Sequence, residues 1–271
     1  MLEGQMKYFK SLGYDTYLMG PYSQRLEAYC QMEGCKHLNL NIKRDISLFH
    51  DLISLIKIIG IFLRVKPDII NLGTPKVSLL GMIAGRVLGI RKRIYTCRGF
   101  RFEHESGLKR RVLVLMEKIT STCAHKVICI SPSVRDFGLK NQLFPEYKAV
   151  IINKGSSNGI SLGRFNPDKI DPKEKENLQK TLNADNKLVF GFVGRIVDRK
   201  GINELYEAFL QLRVKYEDIL LMIVGRFELA QIANHQIIDR LKEDPAVVLT
   251  GPQANVPLYL SLMDVFVLPA W

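Results

Sequence analysis

Residues 191–205 read GFVGRIVDRKGINEL, and the fold turns on how that stretch divides. Its first part completes an apolar run, Lys187–Val193, of the kind a buried strand makes. From Gly201 onward Ile202, Leu205, Phe209, Leu212 and Tyr216 recur at spacings of three and four, the core stripe of a helix. Gly194 to Lys200 is then a loop at the carboxyl edge of a sheet, with Arg195, Arg199 and Lys200 ahead of a helix N-terminus. That end of a helix offers free N–H groups and the positive pole of a dipole. Basic side chains have the wrong sign there unless an anion is bound. A phosphate would cure the mismatch, at roughly 1.5–3 kcal/mol per charge-assisted bond. Gly194 would let it approach the backbone closely. Solvated loop charge is the plainer reading of the same residues. Gly191 and Gly194 make GxxG rather than a dinucleotide fingerprint, and the next strand ends Val224-Gly225-Arg226 with no carboxylate for a ribose. Arg226 could meet a 2′-phosphate, which keeps NADP open, whereas the Walker pattern is absent.

Working outward, strands and helices alternate. Strands are expected at Tyr14–Met19, Asp68–Leu72, Arg93–Cys97, Lys126–Ile130 and Ala149–Asn153, then at Lys187–Val193, Ile219–Val224, Val247–Thr250 and Asp264–Leu268. Helical patterns lie at 45–65, 76–89, 107–122, 201–216, 229–243 and 255–262, and Leu2, Met6, Phe9 and Leu12 form another apolar stripe. Short apolar strands alternating with helices predict an α/β protein of parallel sheets covered on both faces. The segment KGSSNGISLGRFNPDKIDPKEKEN breaks the rhythm and reads as a connection between two Rossmann-like domains, 1–155 and 156–271. Both look incomplete, with a first strand missing before Met1 and the C-terminal part missing after Trp271.

The 271 residues carry a net charge of +12. Residues 1–150 hold 24 Lys+Arg against 12 Asp+Glu, and residues 151–271 hold 15 against 15. The excess on one half points to an anionic membrane surface or polyanion met by that half alone. No run of eighteen uncharged apolar residues exists to span a bilayer. In ISLFHDLISLIKIIGIFLR the polar Ser47, Asp51, Ser54 and Lys57 recur at helical spacing, so one face is expected to pack on the core; lying on a membrane is the alternative. Five cysteines and five histidines show no metal-ligand spacing, no Asp-x-Asp follows a strand, and no metal is expected. Reduced thiols in a cytoplasm are the default.

FVGRIVDRKGINEL resembles the donor-diphosphate motif of the family 4 glycosyltransferases, retaining enzymes of the two-domain GT-B fold. Four further stretches resemble the same family in the same order: LEGQMKYFKSLGYD with KPDIINLGTPKVSLLGMIAGRVLGI, CISPSVRDF, NKGSSNGISLGRFNP, and VVLTGPQANVPLYLSLMDVFVLPAW. The resemblance implies that Gly194, Arg195 and Lys200 hold the donor diphosphate, Arg195 and Lys200 stabilising the leaving group, with Arg226 nearby. It implies that Gly251 to Val256, including Gln253, face the nucleotide base. YTCRGFRFE, residues 95–103, resembles the branch that builds capsule and exopolysaccharide, whose acceptor is often a sugar on a polyprenyl diphosphate. Arg98 and Arg101 are then candidates for phosphate contacts, against a structural arginine at a strand end. Glu103 and Glu105 are acid/base candidates or plain surface carboxylates. The N-terminal domain would bind a lipid-linked or glycan acceptor at the inner face of the cytoplasmic membrane, and the C-terminal domain the nucleotide sugar, the only cofactor-like species implied.

The family's glycine-rich loop and its two donor-contacting glutamates find no counterpart here, so an inactive or split fragment is a second reading. A nucleotide-sugar epimerase on the same fold would want acid/base histidines, which His37, His50, His104, His125 and His235 do not obviously supply. The basic residues lack the aromatic interleaving of a nucleic-acid binder, and none is expected as partner.

Overall fold

The computed structural model describes residues 4–43, 47–103, 105–156 and 158–270. Leu2, His104 and Trp271, and residues 45–46 of the first expected long helix, lie outside the described residues. The chain falls into two compact units, Met1–Gly159 and Ile160–Trp271.

The first unit runs α1 (Gln5–Ser11), β1 (Tyr17–Gly20), α2 (Gln24–Glu33), β2 (Lys36–Asn39), α3 (Leu48–Val65), β3 (Ile69–Leu72), α4 (Pro75–Val87), β4 (Lys92–Cys97), α5 (Gly107–Cys123), β5 (Lys126–Cys129), α6 (Pro132–Lys140) and β6 (Ala149–Val150). β1 and β2 pair in parallel, and β3-β4-β5-β6 form a second parallel sheet in that order. Parallel neighbours need a crossover, and α2, α4, α5 and α6 each supply one, while α3 links the two sheets in sequence. α4 lies between α3 and α5. Its Gly81 and Gly85 sit so close to Leu72 and Ile70 that a Cβ would fall 2.3 and 2.6 Å from their methyls, so helix and sheet approach through glycine.

The second unit runs α7 (Pro172–Thr181), β7 (Leu188–Val193), α8 (Ile202–Arg213), β8 (Ile219–Val224), α9 (Gln236–Glu243), β9 (Val247–Gly251), α10 (Val256–Leu260) and β10 (Val265–Phe266), with parallel sheet order β10-β7-β8-β9. Every residue of β8 is buried. Its Leu221 and Ile223 pack with Phe192, Ile202, Leu205, Phe209 and Leu241, while Leu220, Met222 and Val224 pack oppositely with Ala184, Val189 and Leu262. The period-two alternation divides one strand between two apolar layers, as a doubly covered sheet requires.

Four local expectations are corrected. α2 and β2 were not anticipated, because α2 carries too few apolar residues for a periodic stripe. Its signal is in the caps: Ser23 Oγ accepts the Leu26 N–H at 3.2 Å, and Gly34 ends the helix at φ +70°. The connection proposed at 154–177 is part helix, since Asp171 accepts the Lys173 N–H at 2.9 Å and Pro172 opens α7. Tyr216 falls beyond α8 and is exposed. The fourth concerns α3: one face packs on the core as expected, through Ile58 and Phe62, but Asp51 and Ser54 of the polar row turn toward the protein as well, while Lys57 is exposed. Ser54 is buried and donates to the His50 carbonyl at 2.8 Å, and Asp51 pairs with Lys76 of α4. Pairing lets these polar groups be buried.

Candidate functional site

Three glycines line the carboxyl edge of the second sheet. Gly194 follows β7, Gly225 follows β8 and Gly251 ends β9. The Gly194 N–H donates to the Val224 carbonyl at 3.0 Å, and the Gly225 N–H to the Gly251 carbonyl at 2.9 Å. Gly225 stands at φ +155° with its missing Cβ only 1.8 Å from the Gly194 carbonyl oxygen. The closest approach between the two strand ends is therefore made at Gly225, against the Gly194 carbonyl.

Beyond the glycines the two loops zip together. The Ile196 N–H donates to the Arg226 carbonyl at 2.9 Å, and the Glu228 N–H to the Ile196 carbonyl at 3.2 Å. Ile196 is buried, so its neighbour Arg195 is turned outward. There Arg195 bonds Glu228 at 3.1 Å, Arg226 bonds the other oxygen of Glu228 at 3.2 Å, and Gln231 donates to Glu228 at 2.7 Å. Burial works to raise the Glu228 carboxyl, but the bonds and charge of Arg226 and Arg195 outweigh it and hold the group below its ordinary value. Glu228 was missed in the sequence. The available signal was a carboxylate two residues past Arg226, on a loop bound to that of Arg195.

Asp198, Arg199 and Lys200 form a 3-10 turn before α8, and Gly201 joins turn to helix at φ +67°. Asp198 Oδ2 accepts the Ala233 N–H at 2.7 Å, anchoring the turn. A Cβ on Gly201 would stand 2.3 Å from the Pro269 carbonyl oxygen, so only glycine fits between the turn and the chain leaving β10. Lys200 is half-buried; its backbone N–H donates to the Val197 carbonyl at 2.9 Å, and its side chain makes no hydrogen bond or ion pair among the described residues. Arg195 and Lys200 thus flank the strand–loop–helix junction, one held by a carboxylate and one uncommitted.

Gly251 adopts φ +69° with open space where a side chain would be. Gln253 donates to the Thr250 carbonyl at 2.7 Å, Arg164 donates to the Ala254 carbonyl at 2.9 Å, and Val256 opens α10. The 251–256 loop is therefore pinned at both ends.

In the first unit Arg98 follows β4 and donates to the Gly73 carbonyl at 3.1 Å. Arg101 is exposed at the mouth of a small cavity lined by Lys76, Phe102, Glu117 and Thr120. Glu103 accepts the Phe100 N–H at 3.2 Å and Glu105 pairs with Lys109 at 2.6 Å, so each closes a local contact. Glu117, buried in the same cavity, accepts the Tyr95 hydroxyl at 2.8 Å, and burial pushes its carboxyl up. Among the described residues no group of three or more His, Cys, Asp or Glu could hold a metal ion.

Residues 173–271 match the family model described as glycosyl transferases group 1, and residues 2–131 the one described as glycosyl transferase 4-like. The capsular polysaccharide biosynthesis glycosyltransferase CapM of Staphylococcus aureus is 37% identical over 99% of this chain and 69% of its own length. The Escherichia coli UDP-Gal:α-D-GlcNAc-diphosphoundecaprenol α-1,3-galactosyltransferase is 30% identical over 84% of this chain and 58% of its own. Anabaena HepE, in complex with UDP and glucose, superimposes with a TM-score of 0.77 at 16% identity, over 98% of this chain and 70% of its own. Its likeness concerns the fold alone. The identity to CapM and the two models, matched in the order that the motifs run, show that the chain belongs to the group 1, family 4-like glycosyltransferases of the GT-B fold.

Proposed function

We propose that the protein transfers a sugar, with retention, from a nucleoside-diphosphate donor to a polyprenyl-diphosphate-linked acceptor in capsule or exopolysaccharide synthesis. One observation carries the reading: Arg195 and an uncommitted Lys200 flank the β7–α8 junction beside the Gly194–Gly225–Gly251 edge, the place where an open parallel sheet binds ligands. Two preorganised cations there would stabilise the departing diphosphate electrostatically. The diphosphate displaces Glu228 as the partner of Arg195. Arg226 stands at the same edge, and the 251–256 loop, with Gly251, Gln253 and Val256, offers backbone groups to the base.

The first unit receives the acceptor at an anionic membrane surface, with Arg101 the exposed candidate for its diphosphate and Arg98 bracing the β3–β4 edge. The E. coli relative, named for a diphosphoundecaprenol-linked substrate, and the charge excess of residues 1–150 support this. No metal takes part in this scheme. The test incubates the protein with radiolabelled UDP-, GDP- or ADP-sugars and a GlcNAc-diphosphoundecaprenol acceptor in detergent. Label entering the lipid fraction is expected, lost in Lys200→Ala, and NMR of the product gives the anomer. Nucleotide release without lipid labelling, unchanged by Lys200→Ala, would sink the assignment.

A further inference from the structure

Resting on the membrane-surface part of that reading, we propose that the outward face of α3 is the element that enters the lipid interface, with an anionic headgroup seated in the groove beside it. At about 100° per residue, Phe49, Leu52, Ile53, Ile56 and Leu63 fall within a stripe roughly 100° wide. All five are exposed, Phe49 by 71% and Ile56 by 61%. The opposite face holds Ile58 and Phe62, buried in the core of the first unit. α3 is therefore apolar on both faces, and core packing accounts for only one. No helix among the described residues is long and apolar enough to cross a membrane, so this stripe suits lying in the interface plane.

One edge of the stripe is cationic. Lys57 and Arg64 stand two turns apart, and neither has a hydrogen-bond or ion-pair partner among the described residues. Gly60 lies between them, with nothing within 4 Å of where its Cβ would be. With Asn39, Leu40, Asn41 and Ile61 they line an open groove of about 440 Å³ between the end of β2 and α3. Two free cations, two amides and a glycine gap offer a phosphate charge-assisted bonds on several sides. Apolar area beside cation is the pairing that binds anionic bilayers. The charge excess of residues 1–150 favours this occupant over a second copy, which would carry the same positive charge.

α5 supplies the control. It exposes Leu108, Val112, Leu115 and Ile119, next to Arg111, but the cavity it borders, with Lys76 and Arg101, holds only about 20 Å³ and is lined by the buried Glu117. The experiment floats the whole chain with phosphatidylcholine vesicles, with and without phosphatidylglycerol. The wild type is expected with the anionic vesicles. Ile56→Glu with Leu63→Glu lowers partition by about tenfold per side chain. Lys57→Gln with Arg64→Gln lowers it by about fivefold per charge and removes the preference for phosphatidylglycerol. Leu108→Glu with Leu115→Glu leaves it unchanged. Far-UV circular dichroism confirms that each variant is folded. Wild-type flotation that the α3 variants leave intact, or that the α5 variant abolishes, overturns this inference while membrane docking stands. No flotation of the wild type overturns the docking itself, and sugar transfer to acceptor in detergent is untouched by that result. Dimerisation of the wild type, abolished by the α3 pair with flotation unchanged, would assign the face to a second copy and refute the lipid.

Discussion

Gly201→Ala is the substitution whose cost the structure fixes most closely. Gly201 lies in the left-handed region at φ +67°, where an alanine costs roughly 1–2 kcal/mol. The added Cβ would stand 2.3 Å from the Pro269 carbonyl oxygen and 2.9 Å from its carbon. Both are backbone atoms, so no side chain can swing away. Relief needs the 198–201 turn or the chain after β10 to move by roughly 1 Å, and such overpacking costs about 1–3 kcal/mol. The two together come to roughly 2–5 kcal/mol, a large share of a domain's 5–15 kcal/mol. Urea denaturation followed by far-UV circular dichroism should show a lower midpoint at unchanged slope. Gly60→Ala is the counterpart: its Cβ meets nothing within 4 Å inside α3, and the exchange should stabilise by about 0.5–1 kcal/mol. A Gly201→Ala midpoint equal to that of the wild type would refute the packing assigned to this junction.

Lys200→Ala should leave stability within about 0.5 kcal/mol, since the Lys200 side chain has no partner among the described residues, yet weaken nucleoside-diphosphate binding by about 10- to 150-fold in calorimetric titration. Tyr95→Phe removes the one donor shown for the buried Glu117 and should cost about 1–3 kcal/mol in the urea midpoint. Burial raises the Glu117 carboxyl above its ordinary 4.5, so the folded state holds its proton more tightly. The stability this contributes is present below 4.5 and is lost as pH rises through the raised value. Glu117→Gln should flatten that decline when midpoints are compared up to neutral pH. Burial pushes the Cys97 and Cys35 thiols up to about 12 and the Cys129 thiol to about 11, and all five cysteines are buried. Iodoacetamide at mildly alkaline pH should therefore label them in urea and not in the folded chain, read by mass spectrometry.

The strand–helix alternation and the parallel class were legible because buried parallel strands are short continuous apolar runs. Ile219–Val224 was located to the residue, since burial on both faces leaves no polar position to blur its ends. α2 and α7 escaped because neither shows an apolar stripe; the information sat in Ser23, Gly34, Asp171 and Pro172 at their ends. That one face of α3 packs on the core was legible, but which polar residues share that face was not. Spacing tells which residues fall in one row, but which of them can be buried depends on partners elsewhere, and Lys76 supplies Asp51 with a counter-ion inside. At the candidate site Arg195, Lys200 and the glycine edge were readable from local pattern. Glu228 was not, because its bond to Arg195 joins two loops 33 residues apart.

The most direct test of the central claim is calorimetric titration of UDP, GDP and ADP into the wild type and into the Arg195→Ala/Lys200→Ala pair. The account predicts that at least one nucleotide saturates a single site and that the double variant weakens it by about two orders of magnitude or more. Affinity unchanged in a folded double variant, or no binding of any of the three to the wild type, would contradict it.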